Sequence, residues 1–201
     1  MDGSSRPFEF QGHEYRLAPS QLEPFTVIAA TTATGRLPKP LLDRFTLRVQ
    51  LQPYSEAELA EIVRRAAGRL GIALGAGVEA EFAARAKDTP RVALALLRWA
   101  SLYAQDAKAE IGPEIAERVF AARGVDPHGM DPVDRAYLRA VAEARRPLGL
   151  ITLCGRLDCE PETLEWTVEP FLLRRNWVSK TPRGRTITEQ GRDLCQAAAN
   201  P

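Results

Sequence analysis

The chain has 201 residues, 45% of them apolar and 26% charged, with a formal net charge of +1. The apolar share supports packed cores and excludes a wholly disordered chain, and the length suits one or two small domains. The near-neutral balance excludes a global field that draws the protein to nucleic acid, so any such contact needs a local basic patch.

In chain order, Phe8, Phe10, Tyr15 and Leu17 alternate around Gln11-Gly12-His13, which predicts a short hairpin. Pro19 and Pro24 bracket a linker. Phe25 to Ala30 is a continuous apolar run, the pattern of a strand buried on both faces of a parallel sheet. Thr46 to Gln52 alternates, with Leu47, Val49 and Leu51 on one side, and predicts a second strand. Two strands cannot cover the first one, so the sequence predicts an incomplete sheet.

Pro53-Tyr54-Ser55 marks a boundary, and Ser55 with Glu58 forms a capping box. Leu59, Ile62, Val63, Ala66 and Leu70 then follow helical spacing up to Gly71. A second helix is expected over 78–86. A third opens at Thr89-Pro90-Arg91, with Thr89 as cap and Val92, Leu96, Trp99 and Tyr103 inward. A fourth opens at Gly112-Pro113-Glu114, with Ile115 and Val119 inward. Asp126 to Pro132 is rich in helix breakers and reads as a linker. Beyond it, helices are expected over 132–143, 150–157 and 161–175. The segments Trp177–Lys180 and Thr186–Thr188 then flank a turn over Thr181–Arg185. Three helices followed by a hairpin make a winged-helix arrangement, a common fold with varied functions.

The cysteines, Cys154, Cys159 and Cys195, are odd in number, and Met1–Pro7 lacks the apolar core of an export signal. A reduced, cytoplasmic setting fits better than a disulfide framework. His13 and His128 lie away from the cysteines, so no metal site is expected. No apolar stretch reaches the length of a membrane span.

Arg44 stands between Asp43 and Phe45 after Pro-Leu-Leu. Its planar fork suits a γ-phosphate, and the alternative is a surface pair with Asp43. Thr31 and Thr32 follow the apolar run, where a hydroxyl can orient water or cap a turn. Tyr54 can lie on an adenine ring or pack a hinge. Arg91 adds a charge to a helix N-terminus, which attracts anions. Arg174, Arg175, Lys180, Arg183, Arg185 and Arg192 face a single acid, Glu189, within their stretch. Lys180, Arg183 and Arg185 would form a basic hairpin tip able to clamp DNA phosphates.

Four stretches combine these features: Phe25–Thr32 with Leu41–Phe45, Tyr54–Leu59, Asp88–Val92 and Lys180–Arg185. In order and spacing they resemble the RuvB family of Holliday-junction branch-migration ATPases, of the AAA+ class, over about residues 25–194. The resemblance covers the C-terminal two-thirds of that family. It implies a mostly α fold with little β: a partial AAA+ α/β core over 1–52, a helical lid over 53–126 and a winged helix over 127–201. It also implies roles: Thr32 as sensor one, Arg44 as an arginine finger acting in trans, Tyr54 as adenine contact and Arg91 as sensor two. Lys180 and Arg185 match DNA-touching positions of the wing.

Three residues depart from the family pattern: Ala33 and Lys180 each replace an arginine, and Asp88 replaces a glycine, bringing a carboxylate near where phosphates would lie. No Gly-x-x-x-x-Gly-Lys-[Ser/Thr] occurs in the 201 residues. ATP and Mg are therefore expected only if another chain supplies the phosphate cradle. Three functions remain open: a RuvB-like helicase segment or degenerate paralogue that binds branched or duplex DNA, a non-hydrolysing ring subunit that lends Arg44 to a neighbour, and a winged-helix adaptor without nucleotide function.

Overall fold

The computed structural model describes residues 8–10, 12–15, 25–32 and 34–197. The chain divides into two compact units, residues 1–50 and 51–201.

In the first unit, β1 (Phe8–Phe10) pairs antiparallel with β2 (His13–Tyr15), with Phe8 opposite Tyr15. Gly12 takes a φ of 76° in the turn, which suits a residue without Cβ. The expected hairpin is therefore present, while Leu17, Pro19 and Pro24 lie outside the described residues. Neither expected strand forms. Phe25–Ala30 has no regular structure, with Phe25 69% and Ile28 92% exposed. Thr46–Gln52 is likewise irregular, with Leu47, Val49 and Leu51 exposed. The reason is the one the apolar pattern implied. A doubly buried strand needs a sheet partner on each edge, and the described residues offer none. A short helix, α1 (Lys39–Leu42), lies between the two runs, with proline in its first turn.

The second unit holds two hydrophobic cores. The first packs α2 (Glu56–Leu70), α3 (Val78–Ala84), α4 (Pro90–Ala107) and α5 (Pro113–Arg123). The capping box is in place: Ser55 Oγ accepts from the Glu58 amide at 3.3 Å, and the Ser55 amide donates to Glu58 at 2.8 Å. Gly71 ends α2 in the left-handed region. Phe82 and Phe120 meet edge to face at 5.6 Å in this core.

Two expectations for α4 change. Thr89 occupies the cap position, but its hydroxyl donates back to the Lys87 carbonyl at 2.9 Å. The inner face of α4 is Ala93, Leu96, Leu97, Ala100 and Ala104, which turns Trp99 outward. Small alanines let α4 approach its neighbours closely, so the bulky indole is not the residue that faces the core.

The second core packs α6 (Pro132–Ala142), α7 (Leu150–Leu157) and a longer helical stretch with the wing. That stretch runs through α8 (Pro161–Thr163), a π-helical turn (Leu164–Val168) and α9 (Glu169–Arg174). The wing is β3 (Val178–Thr181) paired antiparallel with β4 (Gly184–Ile187). Thr181 sits opposite Gly184, so the turn is only Pro182-Arg183, tighter than the expected Thr181–Arg185. A C-terminal helix, α10 (Glu189–Ala197), completes the unit, beyond the elements that the sequence predicts.

Leu148 forms a single antiparallel bridge on the other edge of β4, exchanging backbone bonds with Arg185 at 2.9 and 2.8 Å. Gly184 permits this approach. Its φ is 133°, and a Cβ there would lie 2.4 Å from the Leu148 carbonyl oxygen.

Candidate nucleic-acid interface

The wing turn projects Arg183, whose side chain is exposed and takes no ion pair among the described residues. Behind it the other two expected contacts converge on one acid. Glu169, at the start of α9, is 1% exposed. Arg185 Nε donates to it at 2.8 Å, Lys180 Nζ lies 2.5 Å away, and the Tyr137 hydroxyl donates at 2.8 Å. Burial alone would raise the Glu169 carboxyl, but the bonds from Arg185, Lys180 and Tyr137 outweigh it and hold the group below its ordinary range. Burial also works against charge on Arg185, and Glu169 outweighs it, raising that guanidinium further. The Tyr137 hydroxyl is pushed up, first by burial and then by its bond to Glu169.

The three cations expected at the tip differ in exposure and pairing. The Arg185 side chain is 13% exposed and turns inward, with Glu165 a further partner at 3.5 Å. Lys180 is half-exposed and shares Glu169. The two residues clamp the wing to the body of the domain, and Arg183 alone stands forward at the turn.

The wider basic cluster is also compensated. Arg174 Nε donates to Asp88 at 3.3 Å and Arg175 Nη2 donates to the other oxygen of Asp88 at 3.1 Å. Asp88 is thus engaged by Arg174 and Arg175 of the winged helix. Lys87 beside it pairs with Asp131 at 2.6 Å and with Asp134. Asp134 is fully buried, and burial pushes its carboxyl up to about 6 despite Lys87. Lys87 and Asp88 both adopt positive φ, 52° and 56°, which turns their side chains toward α6 and α9. Sequence reading missed these partners because Asp88 and Glu169 lie outside the basic stretch that they neutralise.

Tyr54 is half-exposed just before α2, and Arg91 is exposed in the first turn of α4. Both belong to the second unit. Thr32 and Arg44 belong to the first and are exposed. Arg44 follows α1, its amide bonded to the Leu41 carbonyl at 3.2 Å. Asp43 faces Arg48 at 3.4 Å, so the alternative pairing of Arg44 with Asp43 is not formed. Among the described residues no cluster of His, Cys, Asp or Glu could hold a metal ion, and no helix is long and apolar enough to cross a membrane.

Residues 54–126 match the family model for the RuvB AAA lid domain, and residues 127–196 match that for the RuvB C-terminal winged helix domain. The Holliday junction branch migration complex subunit RuvB of Cutibacterium acnes is 41% identical over 178 residues, covering 86% of this chain and 51% of that protein. Its namesake from Acidothermus cellulolyticus is 43% identical over 173 residues, covering 85% and 47%. Among solved structures, the Thermotoga maritima RuvB Holliday junction branch migration motor is similar with a TM-score of 0.79 at 32% identity. That likeness covers 89% of this chain and 61% of that one. The chain spans about half the length of the curated relatives it matches. With the lid and winged-helix models matched in the order in which the two cores follow one another, the chain belongs to the RuvB family.

Proposed function

We propose that the chain binds duplex or branched DNA through its wing, in the recombination and repair role of a RuvB-type motor in the cytoplasm. The observation that carries this reading is the braced turn Pro182-Arg183. A cation stands at a two-residue turn, and the Lys180–Arg185 pair one register behind it is held by Glu169. A braced turn loses little backbone freedom when its cation meets a phosphate. The helical stretch behind the wing carries Glu160, Glu162 and Glu165, which oppose a phosphate backbone. The wing, and not that helix, is therefore the side offered to DNA.

The test is anisotropy of labelled four-way junctions and unrelated duplexes. Arg183→Ala should weaken binding by a similar factor on every sequence, as expected of a phosphate contact. Unchanged binding, or a loss confined to one sequence, would overturn the reading.

Nucleotide roles for Thr32, Arg44, Tyr54 and Arg91 rest on the resemblance. Arg91 at a helix N-terminus and the exposed Tyr54 suit an anion and a ring. The 201 residues contain no consensus glycine-rich lysine loop, so they do not by themselves fit a nucleoside triphosphate with its Mg. No phosphoryl-transfer step is assigned to this chain alone. A second reading is favoured by Arg44, which stands exposed without an ion pair among the described residues. In a ring that includes subunits with an intact phosphate cradle, Arg44 would complete a neighbour's site. Mixing the chain with an intact RuvB motor should then change ATP turnover, and Arg44→Ala should abolish that change. Turnover indifferent to Arg44 would sink this reading.

A further inference from the structure

Two of the cysteines meet where α7 ends. Asp158 takes a φ of 50° there, in the left-handed region, and its amide donates to the Cys154 carbonyl. The amide of Cys159 donates to the same carbonyl at 3.2 Å. A helix that stops in this way folds its chain back over the last turn. The residue after the left-handed one then packs its side chain on the residue whose carbonyl receives the bond. In this chain both of those positions are cysteines. Their thiols are half-buried against the second core, and neither is sealed from solvent. The Cys159 thiol is turned back toward α7, donating to the Leu157 carbonyl at 3.3 Å.

We propose that Cys154 and Cys159 form a reversible dithiol–disulfide site of the winged helix, oxidised by low-molecular-weight disulfides. A bridge needs Cα atoms about 4.4–6.8 Å apart, and a direct backbone hydrogen bond between the two residues brings them into that reach. Cys195 is not the partner of either thiol. The charges that act on it come from Arg139, Arg192 and Glu143, whereas Cys159 is among those that act on Cys154. One such pair in a reduced setting is a redox-responsive site and not a structural staple.

The exchange balances in two steps. The Cys159 thiolate attacks one sulfur of the small disulfide, forming a mixed disulfide and expelling one small thiolate. The Cys154 thiolate then attacks the Cys159 sulfur, closing the bridge and expelling the second small thiolate. The two cysteine protons end on the two released thiols. Two protein thiols are oxidised and one small disulfide is reduced. Burial, then the charges of Cys159 and Glu160, push the Cys154 thiol up. Cys154 therefore serves as the resolving thiol, and closure is slow. The bridge would pin the end of α7 to the residue before Glu160, where α8 is capped.

Incubation of the full chain with oxidised glutathione, followed by alkylation and tryptic mapping without reductant, tests this. Arg156 lies between the two cysteines, so trypsin cuts inside the loop and only a bridge holds the two peptides together. Alkylatable thiols should fall from three to one, the one being Cys195, and dithiothreitol should restore all three. Cys154→Ser should instead keep a glutathione adduct on Cys159, because the resolving thiol is gone. Cys195→Ser should leave closure of the bridge unchanged. Three thiols surviving the treatment would overturn the proposal. So would adducts that persist on Cys154 and Cys159 of the wild type, or a bridge that includes Cys195 or joins two chains.

Discussion

Three wing cations look alike in the sequence and differ in the structure. Arg185 is bound to a buried acid, so its loss leaves Glu169 partly uncompensated. Arg185→Ala should therefore destabilise the winged helix by about 2–4 kcal/mol. Arg183→Ala should fall within about 0.5 kcal/mol of the wild type. Denaturant midpoints of the two variants would separate a bracing residue from a contacting one. Equal stabilities would contradict the division. A second residue-scale effect concerns pH. Burial raises the Asp134 carboxyl to about 6, above its ordinary 3.8. Between those values the folded state holds a proton that the unfolded state has released. Stability from this group is therefore greatest near the lower value and falls as pH rises through about 6. Comparison of pH 4.5 and pH 7 should show this loss in the wild type and not in Asp134→Asn. An identical slope in both would remove Asp134 as its source.

At the scale of elements, local signals were readable wherever they were self-contained. Ser55 with Glu58, Gly71 and the Gly112-Pro113 start each specify a helix end through nearby backbone groups, and the structure has all three. The reading failed where a distant partner decides. The apolar run Phe25–Ala30 has strand character, but a strand exists only with its neighbours, and none is present among the described residues. Helical spacing alone puts Trp99 inward, whereas close packing selects the alanines beside it. The basic residues of 174–192 look unpaired in sequence because their acids, Glu169 and Asp88, lie outside that stretch. Gly184 is a further element-scale case, legible only as a turn glycine until the Leu148 bridge is seen. Gly184→Ala places a Cβ against the Leu148 carbonyl at a φ of 133°. It should cost about 2–4 kcal/mol and loosen the wing. Amide exchange at Leu148 and Arg185 should accelerate in this variant, and unchanged exchange would show that the bridge adapts.

At the scale of the whole molecule, the two units differ in how they are held. Residues 51–201 contain both hydrophobic cores, while Phe25, Val27, Ile28, Leu41, Leu47 and Val49 of the first unit are exposed. Limited proteolysis of the dilute chain should therefore cut first between Phe25 and Gln52 and spare the residues that follow. Early cleavage within α2 to α9 would contradict that order. Within the second unit, the charged bridge from Lys87 and Asp88 to Asp131, Asp134, Arg174 and Arg175 joins the two cores. It ties the start of α4, where Arg91 stands, to the domain that carries the wing.

The central claim is that a braced hairpin presents Arg183 to a DNA phosphate. Its most direct test is the salt dependence of four-way-junction binding by the full chain and by Arg183→Ala. Each phosphate contact to duplex arms contributes about 0.9 to the slope of log affinity against log salt. The variant should bind more weakly at low salt with a slope shallower by about that amount for one lost contact. An unchanged slope with unchanged affinity would mean that the wing of this chain does not touch DNA.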